Sequence, residues 1–149
     1  MSGGMEIFDS ARVQLRRGIN LVEASAGTGK TYAIAMLVLR LVTEQAIPID
    51  RLLVVTFTKA ATSELRERIR RRLAEARDLL RNPSVEADLT LQDWATGITD
   101  RTVALERLAA ALCDIDCAAI FTIHGFCQRM LQEQALESSQ LFQVELMNW

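Results

Sequence analysis

Short apolar runs alternate with segments of helical spacing along most of this chain. The apolar runs are 19–24, 52–57 and 118–123. The segments of helical spacing are 30–43, the stretch from the second run to Asn82, and 125–136. Continuous apolar runs of this length are typical of buried strands. Because strand and helix alternate, the pattern predicts an α/β fold with a parallel sheet and right-handed crossovers.

The first two runs differ in what they predict about the sheet. Residues 19–24 lead directly into Gly27 and Gly29, which is the pattern of a buried first strand that ends in a turn. Residues 52–57 are continuous and β-branched, so we expect this strand in the centre of the sheet.

The helical segments differ in their apolar faces. Residues 30–43 are apolar on nearly every side, which predicts a helix covered on more than one face. The next helix has one apolar stripe, which consists of Ala61, Leu65, Ile69, Leu73, Ala76 and Leu80. We expect it to end at 82–84, residues 85–99 to be irregular, and 100–112 to be helical again. Residues 82–116 are therefore interpreted as a helical insertion.

Length and composition predict one compact domain without a membrane segment. The chain has 149 residues, half of them apolar, which is enough to bury a core. Its longest apolar stretch, within 33–42, is interrupted by Arg40 and falls short of the roughly 20 residues that a membrane span needs. The first residues lack the features of a secretory signal, so we expect a cytoplasmic protein.

The cysteines give no sign of a metal site. Cys113, Cys117 and Cys127 lack the paired cysteine or histidine spacing that zinc requires. Their apolar surroundings predict buried free thiols.

Charge is unevenly distributed, although the net charge is only -2. Residues 59–81 contain eight basic and four acidic residues. A solvated helix face with pairs such as Glu64 and Arg68 is the favoured interpretation, ahead of a nucleic-acid surface.

A phosphate-binding loop is the most specific motif in the chain. It consists of Ala24, Ser25, Ala26, Gly27, Thr28, Gly29, Lys30 and Thr31. It follows a predicted strand and opens a predicted helix, where backbone N–H groups and the helix N-terminus favour phosphate. Lys30 is expected to reach the β- and γ-phosphates of ATP, and the Thr31 hydroxyl to ligate Mg²⁺. An ordinary glycine-rich turn is the structural alternative, and Ala24 stands where the common pattern has glycine.

Tyr32 follows this loop and has two interpretations. Its ring could stack on adenine as part of the ATP site, or it could pack against a neighbouring strand.

The second and third apolar runs end in residues suited to nucleic acid. Thr56 and Thr58 could donate to phosphate and Phe57 could stack on a base, while a helix cap at Thr58 and a core position for Phe57 are equally consistent with the spacing. His124, the single histidine, and Phe126 follow the third run. A lone histidine at a strand-to-helix junction is more often structural than catalytic, so we assign it no acid–base role.

Taken together, 23–31, 54–65 and 121–127 resemble the corresponding motifs of superfamily 1A DNA helicases of the UvrD/Rep type. The loop is most similar to that of RecB-like members, the beta subunits of exodeoxyribonuclease V, and the resemblance extends from about Phe8 to the end. It implies that 1–149 are the N-terminal part of a RecA-like P-loop domain 1A, and that 82–116 resemble the start of subdomain 1B.

The resemblance also implies functional residues and partners. Thr56, Phe57, Thr58, His124 and Phe126 would lie along a single-stranded DNA track, with ATP and Mg²⁺ at Lys30 and Thr31. The partners would be single-stranded or duplex-end DNA and RecC- and RecD-like subunits, in double-strand-break repair and recombination.

Two departures limit these expectations. No adjacent Asp-Glu pair occurs in the chain, and Gln14 lies in the wrong setting to recognise adenine. We therefore expect a fragment with an incomplete parallel sheet that binds nucleotide without hydrolysing it, and whose open sheet edge favours self-association.

Two other functions fit parts of the pattern. A non-catalytic module for nucleotide or single-stranded DNA would use the same residues without turnover. A small P-loop kinase would explain the loop but leaves the second and third motifs unexplained.

Overall fold

The computed structural model describes residues 8–23, 27 and 29–137, and the fold is given for these residues. Five α-helices and two strands follow one another in a mixed α/β arrangement. In chain order they are α1 (Lys30–Thr43), β1 (Leu53–Thr56), α2 (Lys59–Arg81), α3 (Leu89–Thr96), α4 (Arg101–Asp114), β2 (Ala119–Thr122) and α5 (Ile123–Glu137). Short 3₁₀ turns precede the two strands at Ile49–Arg51 and Ile115–Cys117.

The two strands form one parallel ladder. Its register runs from Leu53 opposite Ala119 to Thr56 opposite Thr122. Helices α2, α3 and α4 all lie between the two strands in sequence, and parallel neighbours require such a crossover. The predicted parallel sheet and its second and third strands are therefore confirmed.

Two predictions about the sheet are wrong for the described residues. Residues 19–23 form no strand, and Ile19 and Leu21 are 102% and 83% exposed. Ala24, the last residue of that predicted strand, lies outside the described residues. Strand β1 is not central, because β2 is its one described neighbour. Apolar runs become strands only where a backbone partner completes the ladder, and the described residues provide no partner for 19–23.

The core lies between the helices and one face of the sheet. Helix α1 packs against both α2 and α4, as expected for a helix covered on more than one face. The apolar stripe of α2 is confirmed at Leu65, Ile69, Leu73, Ala76 and Leu80, which are buried, whereas Ala61 is half-buried at the end of the stripe. Val54 and Ile120 face this core from the sheet. Leu53 and Val55 point to the opposite face and are about half exposed, at 49% and 45%.

Residues 82–116, which the sequence analysis interprets as a helical insertion, contain more helix than the sequence predicts. Helix α3 lies inside the stretch expected to be irregular, so that prediction is wrong in part. The helix has eight residues and buries only Leu91 and Trp94, which is too short a pattern to show a helical period. Helix α4 agrees with the helical spacing of 100–112, and α2 ends at Arg81 as predicted.

The cysteines are free thiols, as expected, but all three are exposed. The prediction that Cys113, Cys117 and Cys127 are buried is therefore wrong. Ala111, Ile115 and Ala118 occupy the core-facing positions beside the first two cysteines, which turns the thiols outward. Among the described helices, none combines the length and the apolar character needed to cross a bilayer.

Candidate nucleotide site and nucleic-acid interface

Two glycines with positive φ angles precede α1. Gly27 and Gly29 have φ angles of +76° and +81°, which side chains with a Cβ rarely adopt. Lys30 and Thr31 are the first two residues of the helix, with Lys30 exposed and Thr31 half-buried. Ala24, Ser25, Ala26 and Thr28 of the predicted loop lie outside the described residues. The described part of the predicted loop is therefore compatible with a bound phosphate, because glycine stands at both positions that have a positive φ angle.

The N-terminus of α1 differs from those of the next three helices. Helices α2, α3 and α4 each begin with a side chain that accepts a backbone N–H, at Thr58, Asp88 and Asp100. Helix α1 begins with Gly29, which has no side chain to act as a cap. A phosphate group is an anion with several acceptor oxygens, so it would complete this helix end electrostatically and by hydrogen bonds.

Tyr32 makes contacts that neither interpretation of the sequence included. Its hydroxyl donates a hydrogen bond of 2.6 Å to Oδ1 of Asp88. The guanidinium of Arg72 lies over the tyrosine ring, 4.5 Å from the ring centroid. Burial, and then the hydrogen bond to the Asp88 carboxylate, raise the pKa of Tyr32 above its usual value. Tyr32 is thereby attached to α2 and to the start of α3, and its contact with adenine stays a prediction.

Arg72 is a buried cation with two acidic partners. Its Nη1 lies 2.6 Å from Oδ2 of Asp88 and 3.4 Å from Oε2 of Glu75. Partial burial pulls the pKa of Asp88 upward, but the hydrogen bonds from Tyr32, Arg72 and the Leu91 N–H outweigh it and hold the pKa below its usual value. Asp88 is therefore held in the ionised form.

The ends of the two strands lie side by side, and each strand ends in a threonine whose hydroxyl makes a hydrogen bond. Thr56 and Thr122 are partners at the end of the ladder. The Thr56 and Thr62 hydroxyl oxygens are 2.6 Å apart, and the Thr122 hydroxyl accepts a hydrogen bond of 3.0 Å from the Gly125 N–H. A Cβ added at Gly125 would lie 3.1 Å from the Thr122 hydroxyl oxygen, so glycine suits this close approach.

Phe57 and Thr58 connect β1 to α2. Phe57 is 87% exposed, so the interpretation as a core residue is wrong and its ring is free to stack on a base. The Thr58 hydroxyl accepts a hydrogen bond of 3.1 Å from the Ala61 N–H, which confirms the predicted helix cap. A cap does not prevent the same hydroxyl from donating its hydrogen to a phosphate.

The residues predicted to follow the third run begin α5. His124 is exposed in the first turn of the helix, and Phe126, two residues later, is half-buried. Because β1 and β2 are parallel neighbours, their carboxyl ends lie side by side. The residues at or just after these ends are Thr56, Phe57, Thr58, His124 and Phe126. Their contact with DNA stays a prediction.

Most of the basic residues of α2 form hydrogen bonds or ion pairs with other groups of the chain. Arg66 donates to the carbonyl oxygens of Ile115, Ala118 and Ile120, at 3.1, 3.4 and 3.3 Å. The predicted pair of Arg68 with Glu64 is present at 2.9 Å. The excess of positive charge on this helix therefore gives little argument for a nucleic-acid surface. The roles of Arg66 and Arg72 had no signal in the sequence, because their partners are distant along the chain.

Sequence comparison identifies the family of the chain. A sequence model of the UvrD/REP helicase N-terminal domain matches residues 7–147, which is nearly the whole chain. The chain belongs to the UvrD/REP helicase N-terminal domain family.

Within this family the chain is similar to RecB subunits. It is 45% identical to the RecBCD enzyme subunit RecB of Escherichia coli over 98% of this chain, and 40% identical to that of Haemophilus influenzae over 86%. It is also 41% identical, over 89% of its length, to an ATP-dependent helicase/nuclease subunit of Pelotomaculum thermopropionicum. The chain spans 13%, 12% and 9% of the lengths of these three relatives.

Proposed function

We propose that this chain binds Mg²⁺ and ATP as the N-terminal nucleotide-binding part of a RecB-like DNA helicase. The observation that carries the proposal is the N-terminus of α1, where Gly29 has a positive φ angle and leaves the helix without a capping side chain. The whole predicted site comprises Ala24, Ser25, Ala26, Gly27, Thr28, Gly29, Lys30, Thr31 and Tyr32.

The residues at the start of α1 have separate tasks. Lys30 places a mobile positive charge beside the β- and γ-phosphates, which lowers the cost of bringing their negative charges together. The Thr31 hydroxyl is a ligand for the Mg²⁺ that accompanies the nucleotide. Gly27 and Gly29 allow backbone N–H groups to approach the phosphate oxygens.

We propose that the chain alone binds ATP without hydrolysing it. Hydrolysis by helicases of this type needs an acidic pair that holds Mg²⁺ and orients water, and the sequence has no adjacent Asp-Glu pair. Lys30 and Thr31 would take part in catalysis when the remaining groups are supplied in a longer protein.

Single-stranded DNA is the proposed second ligand. Support comes from the exposed Phe57 ring beside Thr56 and Thr58, and from His124 and Phe126 after the neighbouring strand. An aromatic ring can stack on any base, and the hydroxyls can hydrogen-bond to phosphate, so binding would not depend on sequence.

The proposed function of the longer protein follows that of its relatives. It would be an ATP-dependent helicase and nuclease subunit that acts on duplex ends in double-strand-break repair, together with RecC- and RecD-like subunits. Closure of the nucleotide site would move the strand ends that contact DNA.

Equilibrium binding of ATP and of a fluorescent oligothymidine to this chain tests both ligands. We expect ATP binding that requires Mg²⁺ and Lys30, DNA binding that requires Phe57, and no phosphate release. DNA binding in the absence of any ATP binding would favour the second candidate, a single-stranded DNA module whose support is the exposed Phe57 ring.

A further inference from the structure

A buried guanidinium connects the first turn of α1 with the N-terminus of α3. Arg72 lies in α2, and only 8% of its side chain is exposed. Its guanidinium stacks on the Tyr32 ring of α1 and forms an ion pair of 2.6 Å with Asp88, the residue that caps α3. Three helices therefore meet at one cation.

Both carboxylate oxygens of Asp88 are engaged. Oδ1 accepts hydrogen bonds from the Tyr32 hydroxyl at 2.6 Å and from the Leu91 N–H at 2.9 Å, while Oδ2 contacts Arg72. Because these contacts reach α1, α2 and α3, Asp88 cannot shift without breaking bonds to the other helices. Hydrogen-bond and ion-pair networks of this kind can carry coupling between the elements that they connect.

Tyr32 belongs to the same helical turn as Lys30 and Thr31. A movement of the Tyr32 side chain is therefore transmitted to the turn that is proposed to bind phosphate. The opposite end of α1 has its own attachment, because Arg40 donates to the carbonyl oxygens of Ser10 and Val13 at 3.2 and 2.7 Å. The contacts of Tyr32 with Arg72 and Asp88 are the corresponding attachment of the first turn.

We propose that Tyr32, Arg72 and Asp88 form a positioning cluster that couples nucleotide binding at Lys30 to the N-terminus of α3. The proposal rests on the proposed function, since it requires that the first turn of α1 binds phosphate. Coupling between two sites is reciprocal. Nucleotide therefore stabilises the start of α3, and loss of the cluster weakens nucleotide binding. In this arrangement Tyr32 orients the first turn of α1 through Asp88 and Arg72, a task separate from contact with the base.

Tyr32→Phe separates this role from simple packing. The variant keeps the ring under Arg72 and removes only the hydroxyl that reaches Asp88. Thr43→Val is the matched control, because it removes a hydroxyl from the other end of α1, where it donates to Leu39 O of the same helix. Arg72→Lys retains charge but loses the planar group that stacks and pairs, and the exposed neighbour Arg71→Lys is its control.

The experiment follows amide hydrogen exchange across α3 in this chain, with and without Mg²⁺ and a non-hydrolysable ATP analogue. In the wild type and in Thr43→Val, the analogue is expected to slow exchange at the Leu91 amide. In Tyr32→Phe and Arg72→Lys that slowing is lost, and the dissociation constant of the analogue rises about five-fold or more, the low end of usual coupling factors.

Three results would overturn the coupling. If the analogue binds the wild type but leaves exchange at Leu91 unchanged, or if Tyr32→Phe behaves like the wild type, the cluster is structural and the proposed function stands. If the wild type does not bind the analogue at all, the proposed function fails and the coupling fails with it.

Discussion

Thr56 and Thr122 are opposite each other in the last pair of the parallel ladder. The residues that follow them are consequently held at the same end of the sheet. Phe57 and Thr58 follow β1, and His124 follows β2. Two motifs that are far apart in the sequence thus form one surface, and the register of two short strands decides their spacing.

Replacement of Phe57 with alanine should weaken binding of single-stranded DNA without unfolding the chain. Stacking of one base on an aromatic ring contributes about 1–3 kcal/mol, so we expect affinity to fall roughly ten-fold to a hundred-fold. The measurement is fluorescence anisotropy with oligothymidine. Leu89→Ala is the control, because Leu89 is similarly exposed, at 80%, and begins α3. Equal affinities of the Phe57 and Leu89 variants would exclude Phe57 from the DNA track.

Replacement of Arg66 with alanine should destabilise the attachment of β2 to α2. The variant leaves three carbonyl oxygens, those of Ile115, Ala118 and Ile120, without the guanidinium that now donates to them. The Ile115 and Ala118 carbonyls keep backbone donors, so the loss is that of hydrogen bonds from a charged group, about 1.5–3 kcal/mol in the free energy of unfolding. Urea denaturation measures the change. The exposed Arg71→Ala should alter it by less than about 0.5 kcal/mol, and a similar loss in both variants would contradict the assigned role of Arg66.

Asp88→Asn should reduce stability at neutral pH by about 1 kcal/mol, since a half-exposed ion pair is partly screened. The charged or titratable groups around Asp88 are Tyr32, Arg72 and, across Arg72, Glu75. Because the pKa of Asp88 is lowered in the folded chain, its charge stabilises the fold above the unfolded pKa. This contribution is lost as the pH falls through the folded pKa.

Urea denaturation at neutral pH and near about pH 3 checks this dependence. The stability difference between the wild type and Asp88→Asn should shrink in acid. Asp100→Asn is the matched control, since Asp100 caps α4 through the Val103 N–H in the same way as Asp88 caps α3. A difference that is constant over this pH range would contradict the assigned ionisation.

Local sequence patterns predict those elements whose buried face repeats several times within the element itself. The stripe from Leu65 to Leu80 and the end of α2 before Asn82 are examples, because a long helix repeats its apolar positions many times. Gly27 and Gly29 have positive φ angles and Phe57 is exposed, while the ligands predicted for them stay predictions.

Features that depend on distant partners could not be predicted. Residues 19–23 have an apolar, strand-like pattern, but a strand needs a neighbour and the sequence does not name one. The apolar neighbours of Cys113 predict a buried thiol, but the thiol is exposed. Inward and outward positions of a helix are only half a turn apart, so apolar neighbours in sequence do not decide which way a side chain points. The contact of Arg72 with Tyr32 joins residues of different helices, and an arginine among other arginines gives no sign of it.

Equilibrium titration with Mg²⁺ and ATP, with Lys30→Ala compared with Lys59→Ala, tests whether the start of α1 binds nucleotide through Lys30. These are the only two lysines of the chain, and both are exposed first residues of helices, so the control matches the change in charge and position. We expect the wild type and Lys59→Ala to bind ATP without releasing phosphate, and Lys30→Ala not to bind. Equal ATP affinity in the two variants, or no binding by the wild type, would contradict this expectation.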